Sequence, residues 1–441
     1  MNSIRKTMAC ALACALPLMA SASPTDEELQ QLRADVQRLQ VKLDGMETAN
    51  IDNGFAGLKI SGMIDPAFIS SSNRRSAGFN FLNNFDAVDR GAAGQDSSYA
   101  FDNSFFGMMM LQLDKETENG TKFHLQLVPH KSASSSMNLG SIIHEATVSV
   151  PTNVSGVRVL AGQFADFTGY EYFLAHQTKL VTHNLLFDFT QASYYAGAGT
   201  EIIDGAWTTK LLVANMNQSS HNDHNRNPML VFRTDYANSE FTGIGVTGQF
   251  GKYADHPLSM LSSDAFYMRG EWTINGQVNV GRWKDMAFNG GDARWAGVSL
   301  MAAYKLTPRL ELVARADYLK NDKNGGGTIA TIFKGCSDAA GALVGCSDPE
   351  VADAGAGDYR NGLGPTPQAL ADALASGNFS NLRGTNRSEL TLGGSYVINQ
   401  NVQVRMEYRY DRASQAVFQV QPENTFRRGN NLFAASVVAT F

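Results

Sequence analysis

The sequence predicts an all-β fold: a sixteen-stranded antiparallel transmembrane β-barrel preceded by a short N-terminal coiled-coil helix. Its composition favours strands, because only 18% of the 441 residues are charged, 10% are aromatic and 41 are Gly. Beyond residue 22 there is no run of about 18 apolar residues, which excludes membrane-spanning helices. From Leu58 onwards, segments of alternating apolar and polar residues are separated by turn-forming residues, as in membrane barrels.

Residues 1–22 have the three parts of a secretory signal peptide. Arg5 and Lys6 supply the positive region, an apolar stretch follows, and Ala20-Ser21-Ala22 forms a cleavage site. A lipoprotein signal with Cys14 as the acceptor is the alternative, but the apolar stretch before Cys14 is short for it. We therefore expect export, with the barrel in a bacterial outer membrane.

Residues 23–50 predict a periplasmic coiled coil. Apolar residues recur at spacings of three and four, which are the a and d positions of a heptad repeat. In a parallel assembly Glu28 would face Arg33, and Lys42 would face Glu47, so both pairs attract. One amphipathic helix lying on its own domain is the alternative. The predicted oligomerisation residues are Leu29, Leu32, Val36, Leu39, Leu43 and Met46.

Residues 55–441 predict the barrel, and three segments show its alternation clearly: 265–274, 310–318 and 403–411. In QVRMEYRYD (403–411), the apolar face ends in Tyr and the polar face carries charges of both signs. Aromatic residues at the ends of an apolar face are typical of a membrane interface, and mixed charges are typical of a water-filled lumen. In AFYMRGEWTI (265–274), we expect Arg269 and Glu271 to face inward, opposite Phe266, Met268, Trp272 and Ile274.

Tight turns alternate with longer polar connections, and this rhythm predicts sixteen strands, although fourteen or eighteen remain compatible. Both ends of the barrel then lie on the short-turn, periplasmic side. The predicted tight turns are Asn119-Gly120, 151–156, Asp204-Gly205, 237–240, Asn275-Gly276, Thr307-Pro308 and 399–401. The predicted strands are 58–70, 99–115, 121–129, 140–150, 156–164, 191–200, 206–216, 229–237, 241–251, 264–274, 277–285, 294–306, 309–319, 387–398, 402–411 and 430–441.

The longest connection, about residues 320–386, is predicted to be an extracellular loop. Cys336 and Cys346 lie ten residues apart in it and predict a disulfide in an exported protein. Thr366, Pro367 and Gly377 mark the ends of a short helix. We expect no metal and no cofactor, because the calcium-like segment NDKNGGGT lacks the bidentate Glu.

The chain resembles bacterial trimeric porins of sixteen strands, of the kind with a periplasmic coiled coil before the barrel. The resemblance rests on the heptads, the strand rhythm and a final alternating strand that ends in Phe441. The segment GVRVLAGQFADFTGYEYF (156–173) resembles that of OmpL-like and DcaP-like porins. The resemblance implies a homotrimer in outer-membrane lipid and passive diffusion of small hydrophilic solutes.

Other function classes fit less well. The net charge is −6 and nothing concentrates positive charge, so we expect no nucleic-acid partner. None of the eight His residues lies beside a Ser or Cys in a nucleophile elbow or has zinc-site spacing, so we expect no enzyme. The alternative function is a structural tether or surface adhesin that uses the barrel only as an anchor.

Residues 165–190 predict the functional site. The resemblance places this third long loop inside the lumen, where it sets the constriction. Its many apolar residues favour burial, although a loop that latches onto a neighbouring subunit would bury them too. Asp166, Glu171, Lys179 and His183 are the candidates to line the narrowest point. The candidates facing them are Arg158, Arg233, Arg269, Arg315, Arg405 and Arg409. Inward charges of the two signs nearly balance, so the sequence predicts neither cation nor anion preference.

Overall fold

A computed structural model describes residues 57–73, 76–81, 106–129, 142–217, 228–253, 255–329, 363–420, 423 and 425–441. The predicted signal peptide, the predicted coiled coil and the Cys336–Cys346 pair lie outside these residues. Among the described residues, no helix is long and apolar enough to cross a lipid bilayer.

The described residues form twenty strands. The first ten are β1 (Leu58–Ile64), β2 (Ala67–Ser71), β3 (Ser76–Asn80), β4 (Met109–Glu116), β5 (Lys122–Leu127), β6 (Ile143–Pro151), β7 (Val157–Ala165), β8 (Tyr194–Asp204), β9 (Trp207–Met216) and β10 (Met229–Ser239). The others are β11 (Thr242–Tyr253), β12 (His256–Arg269), β13 (Trp272–Trp283), β14 (Ala293–Lys305), β15 (Leu310–Lys320), β16 (Arg387–Asn399), β17 (Val402–Ala413), β18 (Phe418–Val420), β19 (Thr425–Arg427) and β20 (Gly429–Thr440).

Sixteen barrel strands form one closed antiparallel sheet. β1 with β2 makes the first barrel strand and β3 with β4 makes the second, since β2 pairs with β3 and β1 pairs with β4. β20 closes the barrel onto the first strand, with Thr440 opposite Met63 and Ser436 opposite Ala67. β18 and β19 form a separate hairpin. Closure leaves no sheet edge in the barrel, so every barrel strand has hydrogen-bonded neighbours on both sides.

The alternation predicted from the sequence separates the two faces of the wall. In β15, Leu312 and Tyr318 are exposed on the outer surface, whereas Arg315 and Asp317 are buried on the inner face. Aromatic pairs lie on the outer surface near the short-turn end, such as Trp272 against Tyr304 with ring centroids 4.8 Å apart. The barrel therefore presents apolar and aromatic groups outward and keeps most of its charges inside.

The segment around β12 differs from the prediction. A long polar connection was expected before residue 264, but β12 begins at His256, two residues after β11 ends. Its three serines, Ser259, Ser262 and Ser263, resemble a loop in the sequence, yet Leu258 and Met260 are buried on the inner face.

The predicted turn at Asn275-Gly276 is also wrong, because β12 and β13 are joined at Gly270 and Glu271. Gly270 has φ of 60°, a conformation that favours glycine, whereas Asn275 and Gly276 pair within the sheet. The shifted turn reverses the predicted facing of Arg269. This residue is exposed on the outer face opposite Trp272 and does not face the lumen.

Two α-helices lie in the described loops: α1 (Leu185–Thr190) and α2 (Pro367–Ser376). The prediction of a helix between Thr366 and Gly377 is confirmed. The Thr366 hydroxyl accepts a hydrogen bond of 3.2 Å from the backbone N–H of Ala369, and Gly377 has φ of 65°. These are the N-cap and C-cap that the sequence indicates.

Candidate functional site

Residues 166–193, which we name the inner loop, connect β7 to β8. The loop contains a 3₁₀ turn at Ala175–Gln177 and the helix α1, whose six residues are all buried. The Asn184 side-chain oxygen caps α1 by accepting a 2.8 Å hydrogen bond from the N–H of Phe187. Burial of most of the loop requires partners for its backbone polar groups, and the barrel wall supplies them.

The first part of the inner loop bonds to the wall at β10, β11 and β14. Arg233 donates to the carbonyl oxygen of Phe167 at 3.1 Å, and the Thr247 hydroxyl donates to that of Thr168 at 3.1 Å. The Tyr170 hydroxyl lies 2.8 Å from the hydroxyl of Ser299. These contacts come from inward side chains, so the inner loop lies within the barrel.

Arg315 of β15 holds the middle of the inner loop. Its guanidinium donates to Glu171 at 3.2 Å, to the carbonyl oxygen of Thr182 at 2.7 Å and to that of His183 at 2.8 Å. It also pairs with Glu389 of β16 at 2.7 Å. One fully buried side chain thus satisfies backbone and carboxylate acceptors together, as the planar fork of Arg permits.

β17 holds the second part of the inner loop. Arg405 donates to the carbonyl oxygens of Ala175 and Leu180 at 2.7 and 2.9 Å. Glu407 accepts from the N–H of Val181 at 2.6 Å. Arg409 donates to the carbonyl oxygen of His183 at 2.9 Å.

The inner loop also reaches the opposite side of the barrel. The Phe173 ring stacks on His144 of β6 with centroids 4.3 Å apart, and His144 bonds to Gln126 at 2.6 Å. Leu174 belongs to a buried apolar cluster that includes Met63 of β1. The loop therefore spans the lumen from the β15–β17 wall, where its contacts are polar, to β6, where Phe173 stacks on His144.

The structure brings five of the predicted candidates together between the inner loop and the wall. Each is at most 7% exposed, so they hold the loop and do not present their charges to open water. They are Glu171, His183, Arg315, Arg405 and Arg409.

The other candidates lie elsewhere. Lys179 is partly exposed and pairs with Glu311 at 2.7 Å. Arg233 pairs with Asp235 at 2.7 Å and with Asp264 at 2.8 Å. Asp166 accepts hydrogen bonds from Thr168 and Tyr195. Arg158 lies near the short-turn end of the barrel. Arg269 is outside the lumen.

Burial changes the protonation of the loop residues. It raises the pKa of Glu171 to about 7, although Arg315 opposes the shift, and it raises that of Asp166 to about 6. Burial and the neighbouring Arg315 lower the pKa of His183 to about 3, so His183 is neutral at physiological pH.

Sequence reasoning missed Arg387. This residue is fully buried on the inner face and donates to Asp411 of β17 at 2.6 Å. The sequence contained a signal for it. Arg387 begins a predicted strand two residues before Glu389, and alternate residues of a strand share a face, so an inward Glu389 implies an inward Arg387. Among the described residues, no group of three or more His, Cys, Asp or Glu could hold a metal ion.

The comparisons with known proteins agree with this architecture. Residues 57–441 match the family described as "Putative beta-barrel porin-2, OmpL-like". No curated protein matches the chain at a significant level.

Among solved structures, the chain is similar to outer-membrane expressed OmpT of Vibrio cholerae, with 8% identity over 87% of this chain and 97% of that one and a TM-score of 0.49. It is also similar to an anion-selective porin from Comamonas acidovorans, with 11% identity over 87% and 99% and a TM-score of 0.48. For OprD of Pseudomonas aeruginosa the identity is 11% over 87% and 95%, with a TM-score of 0.42. Because the family match covers the entire barrel, the chain belongs to the OmpL-like β-barrel porin family of the bacterial outer membrane.

Proposed function

We propose that the barrel is a water-filled channel for the passive diffusion of small hydrophilic solutes, without catalysis, and that the inner loop sets its narrowest point. The observation that carries this proposal is the inner loop itself, which crosses a sixteen-stranded barrel and is bonded to both sides of its wall. Barrels of this size leave room for an aqueous channel, so a loop across the lumen restricts what passes.

In this proposal the ten candidate residues have different tasks. Glu171, His183, Arg315, Arg405 and Arg409 fix the position of the constriction by holding the inner loop against the wall. Asp166, Lys179, Arg158 and Arg233 act nearer the solute path, since the side chains of Lys179 and Arg233 keep 26% and 17% exposure. Arg269 has no part in it, because it is exposed on the outer face.

A planar-bilayer recording tests the proposal. Purified protein is expected to give stepwise, ohmic conductance, and removal of residues 174–184 is expected to increase the conductance of each step because the loop no longer crosses the lumen. An equally long deletion of residues 366–376, which removes α2 from an external loop, is the control and leaves the step size nearly unchanged. A wild-type barrel that does not conduct would contradict the proposal and favour the tether.

We further propose a homotrimer in outer-membrane lipid. The support is the strict heptad spacing within residues 23–50, with its attractive pairs between Glu28 and Arg33 and between Lys42 and Glu47. Three heptads are marginal as an isolated coiled coil, so contacts between the barrels must add to the stability.

A further inference from the structure

The charged side chains on the inner wall fall into two groups. The arginines that hold the inner loop are fully buried and paired with carboxylates, as Arg315 is with Glu389 and Arg405 is with Asp65. The field of a charge in contact with an opposite charge falls steeply with distance, so these arginines act weakly on an ion that passes through the lumen.

A second group lies on β7, β8 and β9. The backbone register places Arg158 opposite Glu201 and Glu201 opposite Lys210, so the three side chains form one row on the inner face. All three are partly exposed. The row lies towards the short-turn end, because Arg158 donates to the carbonyl oxygen of Gly120 at 2.7 Å.

The two cations in this row have neutral partners. Arg158 donates to the hydroxyl of Ser149 at 2.6 Å and to its carbonyl oxygen at 2.8 Å. The ammonium of Lys210 lies 4.9 Å from the ring centroid of Phe167, at the start of the inner loop. Within the described part of the chain, neither cation has a carboxylate oxygen within 4.0 Å.

Arg233 is the next residue along the row and shows the contrast. It lies opposite Lys210 in the register, yet Asp235 and Asp264 both pair with it. Arg233 is therefore held in two contact ion pairs. Lys210 and Arg158 form none, although Glu201 lies between them in the row and Glu145 also interacts electrostatically with Lys210.

We propose that Lys210 and Arg158 determine the ion preference of the channel by drawing small anions, such as inorganic anions and short carboxylates, along the β7–β9 wall. Glu201, between them, opposes this preference. The inference rests on the proposed channel function. It assigns the ion selectivity to Lys210 and Arg158 because these two side chains are partly exposed, whereas the arginines that hold the inner loop are buried.

Reversal potentials in a potassium chloride gradient across a planar bilayer test the assignment. Lys210→Gln and Arg158→Gln are each expected to lower the chloride-to-potassium permeability ratio about twofold, because one charge acting through water at about 8 Å changes the local concentration of a monovalent ion by about that factor. Glu201→Gln is expected to raise the ratio. The matched control is Lys252→Gln, which removes the same charge from the exposed outer face of β11 and leaves the ratio unchanged.

The outcomes separate this inference from the proposed function. A wild-type protein that does not conduct overturns the channel itself. A conducting Lys210→Gln variant with an unchanged ratio, or a control that shifts the ratio equally, overturns only the assignment to Lys210 and Arg158. If Arg158→Gln does not assemble, Lys210→Glu decides, since reversal of the charge must shift the ratio further than neutralisation does.

Discussion

Glu171 shows how the stability of the folded protein depends on one proton in the inner loop. Its carboxyl accepts a 2.7 Å hydrogen bond from the N–H of Asn184 and faces Arg315, with Glu389 and Glu407 also near. Because burial raises its pKa from 4.5 to about 7, the folded protein binds this proton more tightly than the unfolded chain does. The stability linked to Glu171 is therefore fully present below pH 4.5 and is lost as the pH rises through about 7.

We expect Glu171→Gln to reduce the loss of stability between pH 6 and 8, to which Asp166, with its pKa of about 6, contributes a smaller part near pH 6. At pH 8 the variant should be more stable than the wild type by about 1–3 kcal/mol, because the amide stays neutral. Unfolding temperatures in detergent at the two pH values measure this. Glu118→Gln, in the exposed turn after β4, is the control. If the unfolding temperatures of the wild type and of Glu171→Gln changed equally with pH, the prediction would be contradicted.

At the same scale, the inward facing of Arg315, Arg405 and Arg409 could be predicted, because strict alternation in β15 and β17 leaves one face for them. Their burial could not. Arg315 and the loop residues it bonds are more than 130 positions apart, and no local pattern records such a contact.

At the scale of elements, the sequence predicted an element correctly where all the residues that begin and end it are present in the sequence. The helix α2 has its N-cap, its first-turn Pro and its C-cap Gly in sequence, so its bounds followed from them. The prediction of the β12–β13 turn was wrong because Asn275-Gly276 is a strong turn signal in the sequence. Gly270, which has fewer turn-forming residues around it, forms the turn instead. Pairing with both neighbouring strands outweighs the preference of one dipeptide.

The inner loop, as an element, is held differently on its two sides. The weaker contact is the stack of Phe173 on His144 of β6, and a substitution of Phe173 tests it. Phe173→Ala removes the stack on His144 but leaves the contacts to Arg315 and Arg405 intact. We expect the tip of the loop to leave the β6 wall and the single-channel conductance to rise, with the barrel still folded. Tyr172→Ala is the matched control, because the neighbouring Tyr172 is 55% exposed. Equal conductance in both variants would mean that the stack does not hold the loop.

At the scale of the whole molecule, the number of strands could be predicted because short turns and longer connections alternate along the chain. The division of the second barrel strand into β3 and β4 could not, since β3 has only five residues and an insertion separates it from β4. The antiparallel pairing of the first and last strands follows from the even strand count, whereas their register, with Thr440 opposite Met63, could be read only from the structure.

The proposed trimer belongs to this scale as well. Leu32→Pro and Leu39→Pro would each break the helix that the sequence predicts within residues 23–50, so they should reduce the trimer fraction in mild detergent while the barrel stays folded. Native mass measurement counts the chains, and Asp26→Pro is the control, because Pro is tolerated at the first position of a helix. A trimer fraction that is unaffected by both substitutions would remove the coiled coil from the assembly.

The wide sequence separation of the loop contacts also has a kinetic consequence. The inner loop follows β7, but the bonds from Glu407, Arg409 and Arg405 join residues 226, 226 and 230 positions apart. Contacts between such distant segments form slowly, because a long stretch of chain must first be ordered. The part of the loop that β17 holds cannot make these bonds until β17 has joined the sheet, so we expect this part of the loop to reach its final position late in folding. Before β17 joins the sheet, the channel would therefore lack the part of its restriction that these bonds hold in place.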